Sequence, residues 1–289
     1  LRHDSLLWRR ALAAGVQHGP NAWVRYSPPV FGLLFGAVLS RQREVVLHTM
    51  RRVYGPRSAR EELRDVAEVF QNFASCLTDA MLAGSGRGYR AVTQSVNDHY
   101  MMSSLAQGHG AVVVTAHTAG WDIGAPVLNA IQPRDVLVVM EPEPDQAARE
   151  LQDQARRRSG VRIAHVGDDP LASLPLLTHL RRRGGVVAMK FDRTHPGMRS
   201  RPVRFFGAPW RVAEGPLQLA ALTGAPIVPV FTRRLGFMTY QLINSPPIHL
   251  PRRPDDEVLD GAAQRLATAL EGFVRAYPTH WFRFADDDG

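Results

Sequence analysis

Ala111-Val112-Val113-Val114-Thr115-Ala116-His117-Thr118-Ala119-Gly120-Trp121-Asp122 decides how the rest of the chain is read. Its first six residues are a short apolar run rich in β-branched side chains, the pattern of a buried strand. The run stops at His117, and Asp122 follows five positions later at the head of Ile123-Gly124-Ala125-Pro126-Val127-Leu128. Gly120 lets the backbone turn sharply between them. Asp122 is placed to cap the following helix or to lie in its first turn. A histidine at the C-terminal end of a buried parallel strand sits where open α/β sheets hold their ligands.

On one continuous helix, positions i and i+5 diverge, because neighbours there are three or four apart. Across a strand-to-helix turn the carboxylate of Asp122 can fold back onto the ring. It would then accept a hydrogen bond from one ring nitrogen, fix the tautomer and leave the other nitrogen as a base. The plainer alternative is a loop histidine beside a capping aspartate. H-x4-D alone does not choose between them.

Downstream, strands alternate with helices. Val136–Met140, Val161–Ala164 and Gly185–Met189 read as strands, and Asp145–Arg158 and Leu171–Arg183 as helices. Val203–Phe206, Pro226–Phe231 and Phe237–Ile243 read as further strands, Pro216–Thr223 as a helix and Glu257–Tyr277 as a long last helix. The expected fold is α/β: a mainly parallel sheet flanked by helices, an αβα sandwich, with a helical N-terminal region. The boundary is expected near residue 95, with 1–95 packed on a core of 96–289.

Within that N-terminal region, Leu63, Val66, Val69, Phe70, Phe73 and Leu77 recur at helical spacing and predict one buried stripe. Gly84-Ser85-Gly86-Arg87-Gly88 follows no strand and reads as a helix stop and linker rather than a phosphate loop. Val30-Phe31-Gly32-Leu33-Leu34-Phe35-Gly36-Ala37-Val38-Leu39 is too short to span a bilayer. It is expected to be a buried helix. The alternative is a segment lying in a membrane interface between Arg25, Arg41 and Arg43.

At 289 residues, 45 % hydrophobic and 21 % charged, the chain can bury a substantial core. Its formal net charge is +8, and of its 35 basic side chains only Lys190 is lysine. Such a surface suits an anionic partner, whether phospholipid head groups, an acidic carrier protein, a nucleotide or nucleic acid, although any one arginine cluster can be only a solvated face. Cys76 is alone, which excludes an internal disulfide framework and a cysteine-based zinc site. It sits on a helix face and is expected in the core. A cytoplasmic location fits, either free or peripheral on the inner face of the cell membrane.

A second constellation follows the Gly185–Met189 strand: Lys190-Phe191-Asp192-Arg193-Thr194-His195-Pro196-Gly197. In a parallel sheet, Asp192 would open onto the same edge as His117. Beyond it come Val203-Arg204-Phe205-Phe206-Gly207, Glu214-Gly215-Pro216, Thr223-Gly224-Ala225-Pro226-Ile227-Val228-Pro229 and Trp281-Phe282-Arg283-Phe284.

This ordered set resembles the lysophospholipid acyltransferase superfamily over roughly Val112–Phe284, and within it the branch of the lipid A late acyltransferases and phosphatidylinositol mannoside acyltransferases. The resemblance implies transfer of a fatty acyl group from a thioester, acyl-CoA or acyl-carrier protein, to a hydroxyl or amine of a glycolipid, lipid or small-molecule acceptor. It makes His117 the general base, puts Asp122 in the same motif, and matches Asp192 to an acidic residue that supports the histidine. The thioester is a co-substrate, and no further cofactor or metal is expected. Neither Ser nor Cys stands at a G-x-S-x-G elbow.

Candidate substrate-binding residues are Arg193, Trp121, Arg201, Arg204, Phe206 and Glu214. Arg201 and Arg204 could hold a phosphate or a carrier arm, or be solvated. Trp121 could line an acyl groove or pack in the core, and His195 could join the site or shape the Pro196-Gly197 turn. Glu214 departs from the Glu-Gly-Thr of the glycerol-phosphate branch, and capping or an ion pair with an arginine is the expected role. The hydrophobic N-terminal anchor of membrane-bound lipid A enzymes is not found in this sequence, which argues against a lipid A acceptor and leaves open a soluble enzyme acting on a smaller or tethered substrate. Two rival readings remain. One is a metal-dependent hydrolase built on His117, Asp122, Asp192 and His195, although the spacing fits no metal signature. The other is a basic membrane- or nucleic-acid-binding module, for which no basic-aromatic signature is present and nucleic acid is not the expected partner.

Overall fold

The computed structural model describes residues 6–121, 123, 136–140, 150, 162–165, 174–181, 185–195 and 197–285, the side chains of 6–10 excepted. Its strands, in chain order, are β1 (Val92–Val96), β2 (Ala111–Thr115), β3 (Val136–Met140), β4 (Arg162–His165), β5 (Val186–Lys190), β6 (Ser200–Phe205), β7 (Ala208–Ala213), β8 (Ile227–Gly236) and β9 (Thr239–Asn244). Seven of them form one sheet in the order β1-β9-β8-β2-β5-β3-β4. The run from β8 to β4 is parallel. β9 turns back antiparallel on β8 and carries β1, parallel to itself, at the edge. β2 and β5, the two strands expected to carry the site, are neighbours in register: Ala111 faces Val186 and Thr115 faces Lys190.

The sheet is covered on both faces, which explains the unbroken apolar runs. Along β2, Val112 and Val114 enter one core with Leu217, Leu266 and Phe273. These come from α8 (Gly215–Thr223) and α9 (Asp256–Ala276), which are joined there by α7 (Leu174–Arg181). Ala111 and Val113 enter the other, with Val46, Phe70 and Leu105 from α4 (Ser40–Tyr54), α5 (Ala59–Ala83) and α6 (His99–Ala106). The expected α/β architecture is therefore the observed one. The polar helix expected at 145–158 lies outside the described residues, apart from the helical Glu150.

The strands β6 and β7 form a separate antiparallel hairpin closed by Phe206 and Gly207, both at positive φ (50° and 75°). Two such residues make the turn whose twist matches the flanking strands, and this accounts for the glycine of V-x-F-F-G. Gln264 of α9 pairs with both the N–H and the carbonyl of Arg204, docking the hairpin on that helix.

The N-terminal region is α1 (Leu6–His18), α2 (Asn21–Tyr26), α3 (Pro28–Val38), α4 and α5. A Ser58–Glu61 capping box starts α5. The boundary expected near residue 95 falls inside β1, a strand too polar and exposed to show apolar alternation. Two expectations need correction. In α5, Val66, Val69 and Phe70 of the expected stripe are buried, as is Cys76, but Leu63, Phe73 and Leu77 are exposed, because the stripe is wider than the surface covering it. Nor is α3 a buried helix. It meets α5 through Gly32 and Gly36, where a Cβ on Gly32 would lie 2.5 Å from the Phe70 carbonyl oxygen. Val30, Phe31, Leu33, Leu34, Phe35 and Val38 are left facing outward.

One buried polar cluster ties α5 to the sheet. Asp79, 1 % exposed, accepts hydrogen bonds from Arg234 Nε (2.8 Å), the Tyr240 hydroxyl (2.7 Å) and the Met238 N–H (3.2 Å). The ring of Tyr240 lies against Gly120, where a Cβ would sit 2.3 Å from it and φ is +82°. Glycine at that point of the H-x4-D loop is thus required twice, by backbone and by space.

Candidate active site

His117 and Asp192 each lie two residues past the ends of adjacent parallel strands, at the edge where such sheets hold ligands. Asp192 is 4 % exposed and accepts three hydrogen bonds. The His117 N–H reaches Oδ2 at 2.9 Å, His117 Nδ1 reaches Oδ1 at 2.8 Å, and the indole Nε1 of Trp281 reaches Oδ2 at 3.0 Å. An ionised carboxylate can only accept, so Nδ1 carries the proton and Nε2 carries the lone pair. The ring partner of Nδ1 is therefore Asp192. Asp192 is the acid that the family resemblance matched to this role; the alternative in which Asp122 folds back onto the ring falls on a residue outside the described ones.

Electrostatics agree with that assignment. Burial pushes the His117 pKa down to about 4 against the upward pull of Asp192, and the charges of Lys190 and Arg193 act in the same direction as burial. Burial alone would raise the Asp192 pKa, but His117, through charge and hydrogen bonds, and Arg193 outweigh it and hold the carboxyl below its ordinary range. At neutral pH the pair is a neutral imidazole on a carboxylate, with the His117 side chain 14 % exposed.

The segment from His280 to Phe282 locks the loop that carries His117. Phe282 N–H donates to the His117 carbonyl (2.8 Å), Ala119 N–H donates to the His280 carbonyl (2.8 Å), and Thr118 bridges to Trp281. Trp281, 2 % exposed, meets Phe205 edge-on at 5.4 Å, and Phe205 stacks on Trp210 at 4.4 Å. The V-x-F-F-G hairpin thus supports the tryptophan that supports Asp192. Sequence reasoning quoted W-F-R-F without giving Trp281 a role. The available signal was a tryptophan in an ordered motif, since its indole N–H seeks an acceptor when buried.

The other candidates fall into two groups. Trp121 is half-buried with its ring 6.2 Å from that of His117, and the Lys190 ammonium lies 4.0 Å over its face. Arg193 donates to the Phe282 carbonyl at 3.0 Å and adds positive charge near the pair. These two stand at the site. Arg201, Arg204, Phe206 and Glu214 are engaged elsewhere. Arg201 is met by Glu214, Asp256 (2.8 Å) and Asp260 (3.1 Å). Arg204 binds the Gly207 carbonyl, and Phe206 closes the hairpin with its N–H on Glu271 and Arg275 over its ring. Glu214 makes the expected ion pair and no side-chain cap. The His195 carbonyl accepts from Met198 N–H within the turn there. Among the described residues, no group of three or more His, Cys, Asp and Glu converges as metal ligands do.

A histidine paired with a buried carboxylate at the strand ends of an α/β sheet can take a proton from a bound hydroxyl or amine. The model of the family described as bacterial lipid A biosynthesis acyltransferase matches residues 9–286, and the chain belongs to that family of lipid-metabolic acyltransferases. Phosphatidylinositol mannoside acyltransferases of Mycobacterium tuberculosis strains H37Rv and CDC 1551 are each 28 % identical over 192 residues, covering 64 % of this chain. That stretch is 56 % of the relatives' own length, so the chain spans little more than half of them. A crystal structure of the 1-acyl-sn-glycerophosphate acyltransferase PlsC from Thermotoga maritima aligns over 93 % of this chain and 98 % of its own, at 13 % identity and a TM-score of 0.37.

Proposed function

We propose that this acyltransferase moves a fatty acyl group from acyl-CoA or an acyl-carrier protein to a hydroxyl or amine of a lipid-like acceptor, with His117 as the general base. The reading is carried by one observation: Asp192 takes Nδ1 and leaves Nε2 as the proton acceptor. In the step, Nε2 removes the acceptor's proton as its oxygen or nitrogen bonds to the thioester carbonyl carbon. When the carbonyl re-forms, the C–S bond breaks and the thiolate leaves with the proton held on His117. The thioester is already activated, so what the protein supplies is base, orientation and a dry site. Asp192 stabilises the transient imidazolium, and Trp281 holds Asp192. Asp122 belongs to the motif as its second member.

A glycolipid acceptor is favoured by the mannoside enzymes among the relatives. Peripheral contact with the inner face of the cell membrane is favoured by α3. Its outward Val30, Phe31, Leu33, Leu34, Phe35 and Val38 continue into Trp23 (52 % exposed) and Tyr26 (67 %), with Arg25, Arg41 and Arg43 alongside. Apolar residues with amphipathic aromatics and arginines at their rim suit a helix lying in the head-group layer. Among the described residues no helix is long and apolar enough to cross a membrane.

The test is release of free thiol from a panel of acyl-CoA and acyl-carrier donors, with wild type and His117→Ala. Turnover by wild type that falls roughly 10²–10⁴-fold in a folded His117→Ala protein is expected. A His117→Ala protein that works normally removes the base.

A further inference from the structure

Thr118, the residue after the base, is fully buried, and its side chain meets a partner that is near in space and far in sequence. Its Oγ1 accepts from the Thr232 N–H at 3.2 Å and shares a hydrogen bond with the Thr232 hydroxyl at 3.1 Å. Thr232 is itself buried and belongs to β8, the neighbour of β2 on the side away from β5. Pairing between β2 and β8 stops at Val114 and Pro229, whereas β8 runs on to Gly236. Thr232 thus lies beyond the point where β2 leaves it, and the Thr118 side chain takes the place of a strand neighbour there. The backbone of Thr118 acts too. Its N–H donates to the Ala116 carbonyl at 2.7 Å, closing a three-residue turn centred on His117.

Adjacent residues of the loop therefore reach opposite ways across the sheet. His117 meets Asp192, past the end of β5, through both its backbone N–H (2.9 Å) and its Nδ1 (2.8 Å), while Thr118 holds β8 on the other side. Two bonds from one residue to one carboxylate demand a fixed place for the turn, and a loop free to slide loses one of them. We propose that Thr118 is a positioning residue for His117: its hydroxyl fastens the turn to β8 and so keeps the His117 N–H and Nδ1 together on the Asp192 carboxylate. This rests on the reading of His117 as the base of acyl transfer. Fastening of this kind acts on rate more than on substrate affinity, because a reacting group misplaced by about 1 Å can cost about 10²-fold. Valine has the shape of threonine without the hydroxyl, so it would leave the Thr232 N–H buried without its acceptor.

The experiment compares wild type, Thr118→Val, Thr118→Ser and Thr232→Val by melting temperature, by thiol release from palmitoyl-CoA and by nitrogen NMR of the histidine rings. The His117 ring signals are identified by their loss in His117→Ala. In wild type they should show a protonated Nδ1 and a bare Nε2. Thr118→Val should lose roughly 10–10²-fold in kcat with KM within about twofold, and its His117 signals should move toward those of a ring exchanging between tautomers. Thr118→Ser keeps the hydroxyl and should stay close to wild type in both readouts. Thr232→Val keeps the N–H bond, should fall between the two, and serves if Thr118→Val fails to fold. A threonine that only packs would lower the melting temperature of Thr118→Val and leave its kcat and His117 signals unmoved; that result overturns the proposal. A serine variant no better than valine overturns it as well, and so do unchanged His117 signals in Thr232→Val where Thr118→Val does not fold. The ring signals need no substrate. Absence of turnover by wild type would therefore count against the acyl-transfer reading alone, with Thr118 decided by the spectra.

Discussion

Asp192 and Asp79 occupy niches built alike. Each is buried, and each accepts from one backbone N–H, one aromatic donor and one basic side chain: His117 N–H, Trp281 and the His117 ring for Asp192, and Met238 N–H, Tyr240 and Arg234 for Asp79. Both aromatic donors also brace the same loop, Trp281 through its bridge to Thr118 and Tyr240 through its contact with Gly120. The difference is the basic partner. Arginine stays charged at every accessible pH, so Arg234 exchanges no proton and serves to hold the α5 helix to the sheet through Asp79. Histidine can lose and regain a proton, so the same enclosure around Asp192 is able to support a proton transfer. Surroundings alone do not separate a structural carboxylate from a functional one; the titration of the partner does.

Exchanging both carboxylates for amides gives the widest separation. Asp192→Asn should cut the rate roughly 10²–10⁴-fold while the protein stays folded, because an amide can donate to Nδ1 and impose the wrong tautomer. Asp79→Asn should show the opposite signature. It leaves Arg234 buried without its counter-charge, costing about 3–5 kcal/mol in urea unfolding, with kcat of the folded fraction near wild type. Equal rate losses in the two variants would dissolve the distinction.

Trp281→Phe sharpens it further. The ring bulk stays and the indole donor is lost, at a cost of about 1.5–3 kcal/mol for a hydrogen bond to a charged group. A carboxylate less well held attracts the imidazole proton more, so the acid limb of the rate profile should move to higher pH. An unmoved limb would detach Trp281 from the pair. The smallest effect is the acid limb itself. His117 is lowered to about 4, so its base form is present above that pH and is lost below it. The rate should be level from pH 5 to 7 and fall about tenfold per unit well below 4. Stability moves in the same sense over a different window: between the ordinary histidine value of 6.5 and about 4 the unfolded chain takes up a proton that the folded one refuses, so wild type weakens as pH falls through that range. A rate that drops already at pH 6.5 would mean that the ring is not shielded as described.

The sequence carried the strands that end at His117 and Asp192, because a strand buried on both faces must be apolar throughout and its end is then marked by the first polar residues. Their adjacency followed from parallel topology. Which carboxylate meets the ring did not follow: spacing made Asp122 the candidate, whereas register between β2 and β5 delivers Asp192. Trp281 was invisible for the same reason, being 89 residues from its acceptor. An ion pair of Glu214 with an arginine was legible, but not that the arginine is Arg201, nor that Asp256 and Asp260 of α9 meet it as well. On α3, the pattern showed an apolar helix and could not show that its contact is made by glycines. Periodicity reports side-chain character and is silent about which face finds a neighbour.

Asp192 joins segments that leave the ribosome far apart in time. A nascent chain that has delivered β2 and β5 holds base and carboxylate, but lacks the indole donor and the Phe282 N–H that fasten the loop. The enclosure of the His117–Asp192 pair is therefore completed only after a segment made later than both of its strands has docked.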